Sequence, residues 1–458
     1  MKLTLLGGGG VRSPFLAKYI ASRAASLDID HVVFMDNDPD RLRIFGGLSK
    51  KVAETVNSKL RFEITTSAVT ALEAADFIIT SLRVGGEKSR AADERRALEE
   101  GVLGQETTGA GGFAMALRSI PVLNEYCRLV KKHSSPDAVI LNFTNPSGLV
   151  TQALRSEGFD NVYGICDGPG GFFKEVAKLL EAKPSELSVE CFGLNHLSWF
   201  RNIRLDGKEI TGELISDPRL YTETEAKVFD PELLAHLGMI PNAYLYYYYH
   251  REQAVCNILK SAKTRGEIIK DINEKMLQAL WNMDIEQDFE KMLGIYLTHY
   301  SMRESSYMSI ESGKKINGDS EEGAMDIFKA EFGEGYAGVA LDLVEALVTR
   351  RKKEVILSVP NMGVIEGLAD DDVVEITCIA DAKGAKPVSI GKVPELQMSL
   401  IRQIKLYERL TVEAIKNKSI STAVDALMIH PLVGSYSIAK RLVQGYIEDY
   451  KEYTGTWR

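Results

Sequence analysis

The stretch "KLTLLGGGGVRSPFLAKYI", residues 2–20, decides the fold. Its first residues, "KLTLLG", are an apolar run typical of a strand, and "SPFLAKYIASRAASL" after the glycines is typical of a helix. A strand, a glycine-rich turn and a helix in this order bring the helix N-terminus to the end of the strand. A dinucleotide pyrophosphate binds at such a helix N-terminus in doubly wound folds.

Four residues of this region are candidate cofactor-binding residues. Gly7 and Gly9 match the first two glycines of the G-x-G-x-x-G fingerprint, with Gly10 beside them, but Arg12 stands at the third glycine position. Asp36 closes the next predicted strand, "HVVFMD", at the distance expected for the acid that binds a ribose hydroxyl of NAD. A glycine-rich turn without a ligand is the alternative. The strand, the helix and the acid together favour nucleotide binding.

The pattern continues beyond the second strand. "DFIITSL" (76–82) and "AVILNFT" (138–144) are apolar on both faces and alternate with helical stretches, which indicates a doubly wound parallel sheet. From about residue 195 longer helices appear, with strand-like pieces such as "EVILSVPN" and "DVVEITCIA" between them. The predicted fold is therefore α/β, with a Rossmann-type NAD-binding domain over residues 1–192 and an α+β domain over residues 193–458.

Composition narrows the class of protein. The 458 residues carry a net charge of −9, which argues against a nucleic-acid-binding protein, because such proteins usually present a basic face. We find no apolar run long enough to span a bilayer and no secretory signal at the start, so no membrane partner is expected. The five cysteines are scattered and form no CxxC pair. We therefore expect no disulfide framework and a cytoplasmic location.

A cysteine and a histidine suggest a metal site. In "YGICDGPGG" (163–171) Cys166 follows a predicted strand, and His196 in "FGLNHLSWF" follows thirty residues later. A thiolate and an imidazole can bind a divalent ion and leave positions open for substrate hydroxyls. The alternative is a buried cysteine and a structural histidine, since the spacing does not match a closed zinc site. Asp167 is either a proton donor or the N-cap of the following helix.

Arginines and tyrosines supply further candidates. Arg83 follows the strand "DFIITSL" at the carboxyl edge of the sheet, and Arg265 opens a helix; both are suited to phosphate, although most arginines are solvated surface charges. "NAYLYYYYHR" packs five tyrosines into six positions. Most such tyrosines are packing residues, but one could act as a base if a nearby cation acidified its phenol.

Taken together, the motifs resemble glycoside hydrolase family 4, the NAD- and metal-dependent glycosidases. The matching segments cover nearly the whole chain and are, in order, "GGGG" with "SPF", "SLRVGG", "GVLGQETTGAGGFAMALRSIPV", "NFTNPSG", "GICDGP", "GLNHLSWF", "NAYLYYYY" and "NMGVIEGLADDDVVE". The resemblance implies that Cys166 and His196 hold a divalent metal, usually Mn²⁺. It also implies that Tyr244 is the catalytic base.

The same resemblance assigns the substrate. Asn145 in "NFTNP" falls where the family contacts sugar hydroxyls, Arg83 where members acting on phosphorylated sugars carry an arginine, and Arg265 looks like a second phosphate contact. A 6-phosphorylated glucoside, met in the cytoplasm after phosphorylating uptake, is the implied substrate. The family also carries Asp rather than Asn beside the metal cysteine in its α-specific members, which slightly favours an α linkage with Asp167 as general acid.

The implied chemistry differs from that of two-carboxylate glycosidases. NAD⁺ takes a hydride from sugar carbon 3, Tyr244 removes the acidified proton at carbon 2, and the leaving group departs from carbon 1. Water then adds and the hydride returns, so that the net reaction is hydrolysis. The resemblance also implies a homodimer or homotetramer, with the C-terminal domain contributing to the substrate and metal sites and to oligomerisation.

Two departures keep alternatives open. The family more often has Ser or a similar small residue where Gly10 lies, followed by an aromatic residue and Thr, whereas this loop reads "GGGGVRSP" with Arg12 in it; "DGPGG" after Cys166 is also unusual. An NAD-dependent 2-hydroxy-acid dehydrogenase, a catalytically silent nucleotide-binding protein and a family member acting on unphosphorylated glycosides are the alternatives. The Cys166 and His196 pair and the segment "GQETTG" argue against the dehydrogenase.

Overall fold

A computed structural model describes residues 1–305, 307–314, 335–349 and 351–458. Its strands are β1 (Lys2–Leu6), β2 (His31–Met35), β3 (Arg61–Thr65), β4 (Phe77–Thr80), β5 (Val139–Asn142), β6 (Val162–Gly164), β7 (Leu187–Leu194), β8 (Leu197–Leu205), β9 (Lys208–Glu209), β10 (Ile240–Pro241), β11 (Lys353–Pro360), β12 (Val373–Asp381) and β13 (Gly384–Pro387).

The helices in the same ranges are α1 (Ser13–Arg23), α2 (Pro39–Arg41), α3 (Gly47–Val56), α4 (Ala68–Leu72), α5 (Gly86–Glu99), α6 (Gly109–His133), α7 (Ser147–Ser156), α8 (Asp167–Leu179), α9 (Thr211–Ser216), α10 (Leu220–Glu223), α11 (Pro231–Leu237), α12 (Tyr246–Tyr249), α13 (Arg251–Lys260), α14 (Arg265–Leu280), α15 (Phe289–Ser305), α16 (Ser309–Ser312), α17 (Gly335–Thr349), α18 (Glu395–Asn417), α19 (Ile420–Ile429), α20 (Tyr436–Asp449) and α21 (Lys451–Thr454). None of the helices described is both long and apolar enough to cross a membrane.

The larger sheet confirms the predicted doubly wound fold. Its strand order is β13-β12-β11-β6-β5-β4-β1-β2-β3, and the six strands from β6 to β3 are parallel to one another. The order 3-2-1-4-5-6 is that of dinucleotide-binding domains, in which ligands bind where the strand order reverses, between β1 and β4. The glycine-rich loop follows β1 and therefore lies at this switch point.

Both faces of the central strands are buried, as their apolar runs predict. Leu3, Leu5 and Leu6 in β1 and Ile78 and Ile79 in β4 are at most 1% exposed. Each such side chain stabilises the fold by about 1.5–3 kcal/mol relative to an exposed one. This packing fixes the carboxyl edge of the sheet, where the candidate site residues lie.

The C-terminal strands add to the same sheet. β11 runs antiparallel to β6, with Ser358 opposite Gly164, and β12 and β13 follow outward. A separate antiparallel sheet is formed by β7 to β10. The strand-like pieces expected in the second domain thus extend the first sheet, because β6 offers an unpaired edge that β11 covers. The boundary predicted between residues 192 and 193 lies within β7, and the division into two domains stays a prediction.

Candidate active site

The glycine-rich loop is held against the ends of two strands. Gly7 and Gly8 donate their N–H groups to the carbonyl of Met35, each at 2.8 Å, and Gly10 donates to the carbonyl of Gly7 at 3.0 Å. Gly7 has a φ of +104°, and a Cβ there would lie 2.3 Å from the Ser81 oxygen at the end of β4. Only glycine fits this position, and the loop leads directly into the N-terminus of α1.

Asp36 lies beside this loop at the end of β2. Its Oδ2 accepts a hydrogen bond from the Gly9 N–H at 2.8 Å and its Oδ1 accepts from the Asp38 N–H at 3.0 Å. Arg41 donates to the Gly9 carbonyl at 3.2 Å. The carboxylate is half-buried and held next to the loop, which suits it to accept hydrogen bonds from ribose hydroxyls. The geometry of the loop and the acid therefore fits a dinucleotide.

The structure brings together three of the predicted catalytic and metal-binding residues. Cys166 Sγ, between β6 and α8, lies 3.7 Å from Nε2 of His196, in the turn between β7 and β8. The imidazole stacks on the ring of Tyr244, with ring centroids 3.9 Å apart and an interplanar angle of 14°. His196 has a φ of +63°, a left-handed backbone conformation in the hairpin turn.

Burial controls the protonation of these three groups. It lowers the pKa of His196 to about 4, so the imidazole is neutral near pH 7, as a metal ligand must be. Burial, and then the charges of Glu375 and Asp167, raise the pKa of the Cys166 thiol well above its usual range. Burial likewise raises the pKa of the Tyr244 phenol. A positive charge at this place would favour the thiolate and the phenolate.

The pair of donors fits a catalytic divalent cation. Sulfur and imidazole suit manganese less well than oxygen does, but they bind several borderline divalent ions. No cluster of three or more His, Cys, Asp and Glu side chains suited to a metal occurs in the described residues, so the pair leaves coordination positions open. Nδ1 of His196 is also buried and has no hydrogen-bond partner among the described residues.

Glu375 supports the histidine from β12. Its Oε2 accepts from Asn195 Nδ2 at 2.9 Å and its Oε1 from Ser198 Oγ at 2.8 Å, so it binds residues on both sides of His196. Glu375 is 2% exposed, and burial raises its pKa to about 7. Sequence reasoning did not single out this residue. Its position at the end of "NMGVIEGLADDDVVE" was the available signal.

Asp167 is the first residue of α8, and Cys166 occupies the N-cap position without a side-chain capping bond. Of the two alternatives for Asp167, the role of N-cap is therefore not the one that the structure shows. Its Oδ2 accepts instead from Arg12 Nη1 at 3.2 Å, and the other terminal nitrogen of Arg12 lies 3.8 Å from Glu304 Oε1. Arg12, the residue that departs from the nucleotide fingerprint, thus contacts the residue next to Cys166.

A cluster of charged side chains, partly buried except for the fully buried Arg90, lies at the carboxyl edge near β4. Arg83 Nη1 donates to Glu106 Oε2 at 2.5 Å, and Arg90 Nη1 lies 3.2 Å from Glu106 Oε1. Although burial opposes its ionisation, the charges of Arg83, Arg90 and Arg265 hold the pKa of Glu106 well below its usual range. Arg265 also lies 5.0 Å from the ring centroid of Tyr307. Both predicted phosphate contacts therefore act on one carboxylate, which sequence reasoning passed over within "GQETTG".

Asn145 lies on the loop after β5. Its Oδ1 accepts from the Ser147 N–H at 3.3 Å, and the next residue, Gly148, donates to Asn195 Oδ1 at 3.2 Å. This loop is thereby tied to the hairpin that carries His196. The predicted contact of Asn145 with sugar hydroxyls stays a prediction.

Fold and site together define an enzyme-like protein with a dinucleotide loop, a cysteine and histidine pair for a cation, and a stacked phenol. Comparison with known proteins gives the family. The sequence model described as family 4 glycosyl hydrolase matches residues 2–182, and the model of the family 4 glycosyl hydrolase C-terminal domain matches residues 191–433. The chain belongs to family 4 of the glycosyl hydrolases.

Its relatives span nearly the whole chain. The 6-phospho-beta-glucosidase BglT of Thermotoga maritima is 31% identical over 99% of both chains. The maltose-6'-phosphate glucosidase MalH of Clostridium acetobutylicum is 29% identical over 98% of both. A solved structure of the Thermotoga maritima 6-phospho-beta-glucosidase, with manganese, NAD⁺ and glucose-6-phosphate, has a TM-score of 0.81 and 28% identity, and the match covers 99% of each chain.

Proposed function

We propose that this protein hydrolyses 6-phosphoglucosides with the help of NAD and a divalent cation such as Mn²⁺. One observation carries the proposal: Tyr244 stacks at 3.9 Å on His196, whose Nε2 lies 3.7 Å from Cys166 Sγ. This places a phenol beside two cation donors. A 2-hydroxy-acid dehydrogenase is not favoured, because both family models describe glycosyl hydrolases.

The cofactors would be held by residues already described. Gly7, Gly9 and Gly10 would receive the dinucleotide phosphates at the N-terminus of α1, and Asp36 its ribose. NAD bound there would supply a hydride acceptor at sugar carbon 3, and a divalent cation held by Cys166 and His196 would supply Lewis-acid charge beside the phenol.

The chain itself handles the protons. Tyr244 takes the proton from sugar carbon 2, a role that needs a positive charge nearby because burial raises the pKa of its phenol. Asp167 serves as the proton donor to the leaving oxygen, and its contact with Arg12 fixes the direction of its carboxyl group. Asn145 contacts the sugar hydroxyls.

Arg83 and Arg265 bind the substrate phosphate. Guanidinium groups form strong paired hydrogen bonds with phosphate oxygens. The Arg83 side chain is 29% exposed, so one of its sides can face a ligand while Nη1 stays bound to Glu106. An unphosphorylated glycoside would leave this cluster of arginines unused.

The proposal also covers the location of the protein, its oligomeric state and its domains. A phosphorylated sugar is met in the cytoplasm after phosphorylating uptake, which is where we place the protein. We also propose a homodimer or homotetramer, and a division of the chain into an NAD-binding domain (1–192) and a domain for substrate, metal and oligomerisation (193–458). For the anomeric linkage of the substrate, Asp167 slightly favours α. The relatives include proteins named as 6-phospho-beta-glucosidase and as phospho-alpha-glucosidase.

The test is hydrolysis of nitrophenyl 6-phospho-α- and 6-phospho-β-glucosides, with and without NAD⁺, Mn²⁺ and a thiol reductant. Turnover of one anomer that needs both additions and yields no net NADH is expected. Activity only on the matching unphosphorylated glucosides would contradict the substrate proposal and would assign Arg83 a structural role. Net NADH formation from a 2-hydroxy acid would contradict the reaction itself.

A further inference from the structure

A buried arginine lies under the turn that carries Arg83. Arg118, on α6, is 0% exposed and binds Asp93 through two nitrogens, with Nη1 to Oδ1 at 3.0 Å and Nη2 to Oδ2 at 2.7 Å. Its third nitrogen, Nε, donates to the Val84 carbonyl at 3.1 Å. The guanidinium therefore holds the backbone of the residue next to Arg83.

The turn packs closely on this support. The Gly86 N–H donates to the Arg83 carbonyl at 2.9 Å, and Gly85 has a φ of +81°. A Cβ on Gly85 would lie 3.3 Å from Arg118 Nε and 2.3 Å from Ser89 Oγ. The backbone thus rests directly on the guanidinium, so a displacement of Arg118 would displace the turn.

The C-terminal part of the chain completes the support. Tyr450, just after α20, donates its hydroxyl to Asp93, and the guanidinium of Arg118 lies 4.0 Å from the centroid of the Tyr450 ring. The same hydroxyl lies 3.2 Å from the carbonyl of Ser89. Tyr446 binds the Asp93 carbonyl at 3.2 Å. Tyr450, eight residues before Arg458, therefore orients both partners of the buried ion pair.

We propose that Arg118 is a positioning residue for Arg83 and that Tyr450 holds Arg118 in place. Tyr450, between α20 and α21, thereby influences the affinity for the substrate phosphate. The inference rests on the proposed function, in which Arg83 binds that phosphate. The guanidinium of Arg118 is bound on three sides, and these bonds fix both its plane and its position. A small shift of Tyr450 or Asp93 should therefore also shift the backbone at Val84, next to Arg83. The ion pair of Arg118 and Asp93 lies outside the proposed cation and nucleotide sites, so substitutions at this pair or at Tyr450 should leave the affinities for Mn²⁺ and NAD⁺ unchanged.

Tyr450→Phe tests the inference with little disturbance, because it keeps the ring on Arg118 and removes only the hydroxyl. We expect KM for the nitrophenyl 6-phosphoglucoside and Kd for glucose 6-phosphate to rise about 3- to 10-fold, the effect of losing one ordinary hydrogen bond. The value of kcat at saturation and Kd for NAD⁺ should stay within about twofold of wild type, as expected when the substrate and the transition state lose the same binding energy. Arg118→Lys, which keeps the charge and loses the paired geometry, should raise KM further.

Tyr436→Phe is the matched control, since Tyr436 is 59% exposed at the start of α20, the helix that Tyr450 follows, and it should change nothing. If Tyr450→Phe folds with an unchanged melting temperature and leaves Kd for glucose 6-phosphate unchanged, the inference is wrong. A parallel fall in kcat and in NAD⁺ affinity would also overturn it, because that pattern indicates general loosening. Arg83→Ala separates the two proposals: if it raises KM and Tyr450→Phe does not, only this inference fails, whereas no effect of either contradicts the phosphate role of Arg83.

Discussion

Arg12 Nη1 donates to Asp167 Oδ2 at 3.2 Å and joins the glycine-rich loop to the residue beside Cys166. The two side chains come from the N-termini of α1 and α8, which both begin at the carboxyl edge of the parallel sheet. The contact links the proposed nucleotide site to the proposed proton donor. Each side chain is 39% exposed, so the pair adds little to stability and its effect should appear in the reaction.

Removal of Arg12 should affect substrates according to their leaving groups. We expect Arg12→Ala to lower kcat about tenfold on a 6-phospho disaccharide, whose leaving oxygen needs a proton, and far less on a nitrophenyl 6-phosphoglucoside. Steady-state kinetics on both substrates measure the difference. Lys50→Ala, a change on the exposed side of α3, is the control. Equal losses on both substrates would show that Arg12 acts on the nucleotide rather than through Asp167.

Tyr244→Phe should abolish proton exchange at sugar carbon 2 and leave the binding sites intact. The phenol is the only group lost, and general bases contribute about 10²- to 10⁴-fold to rates. The measurement is deuterium incorporation into the substrate in D₂O, together with NAD⁺ and Mn²⁺ titrations. Tyr249→Phe removes a phenol bound to Trp199 at 3.1 Å and serves as control. Retained exchange in Tyr244→Phe would move the base to another residue.

Glu375→Gln should weaken the cation site without touching a ligand. Both Glu375 oxygens accept hydrogen bonds, from Asn195 and Ser198, and an amide offers only one acceptor. Loss of such supporting contacts costs about 10- to 100-fold in metal affinity. Calorimetric titration with Mn²⁺ gives the value, and Cys166→Ser, which removes a proposed ligand, gives the larger loss for comparison.

Glu354→Gln is the matched control for this prediction. Glu354 lies on the neighbouring strand β11 and accepts a hydrogen bond from the Val189 N–H at 3.2 Å, away from the cation site. We expect its Mn²⁺ affinity to equal that of wild type. Unchanged affinity in Glu375→Gln as well would mean that the hairpin holds its histidine without help from β12.

Gly7→Ala should disrupt the nucleotide loop. An added Cβ would meet the Ser81 oxygen at 2.3 Å, and φ at this residue is +104°, so both sterics and backbone oppose the change. We expect NAD⁺ affinity to fall at least about tenfold and the melting temperature to drop. Gly47→Ala, where nothing lies within 4 Å of the new methyl group and the residue is helical, should be neutral or stabilising. Wild-type NAD⁺ affinity in Gly7→Ala would contradict the assignment of the loop.

His430 should make the protein less stable in mild acid. It is 1% exposed, its Nδ1 accepts from the Leu432 N–H at 3.1 Å, and burial lowers its pKa to about 3. The folded state favours the neutral ring, so its contribution to stability is complete above the unfolded pKa near 6.5 and is lost as pH falls toward 3. Between pH 6.5 and 5 the loss from this group is about 2 kcal/mol.

Urea denaturation at pH 7.5 and pH 5.0 measures this loss. In His430→Gln, which cannot gain a proton, the decrease in unfolding free energy between the two pH values should be smaller than in wild type by about 2 kcal/mol. His236→Gln, on the exposed surface of α11, should keep the full decrease. The same decrease in all three proteins would assign the acid sensitivity to other groups, such as the buried His196 or carboxyl groups.

Much of the site could be predicted because its residues stand at the ends of recognisable elements. The apolar run before Gly7 and the helix after it determine a strand, a turn and a helix, and Asp36 ends the next strand. Cys166 and His196 were named from motifs, and the structure places them 3.7 Å apart. These features depend on neighbours in the sequence, so spacing and turn residues suffice to find them.

The contacts that hold the site together are made by residues far apart in the chain. Glu375 reaches the histidine hairpin because β12 extends the first sheet through β11, although the sequence suggested a separate domain. Arg12 and Asp167, which are in contact, lie 155 positions apart in the chain. Arg118 and Tyr450, which are also in contact, lie more than three hundred positions apart. The sequence by itself determined the local elements and the residue types of the site. Only the tertiary structure decided which of them meet, because the order in which strands pair, and not their spacing, brings distant side chains into contact.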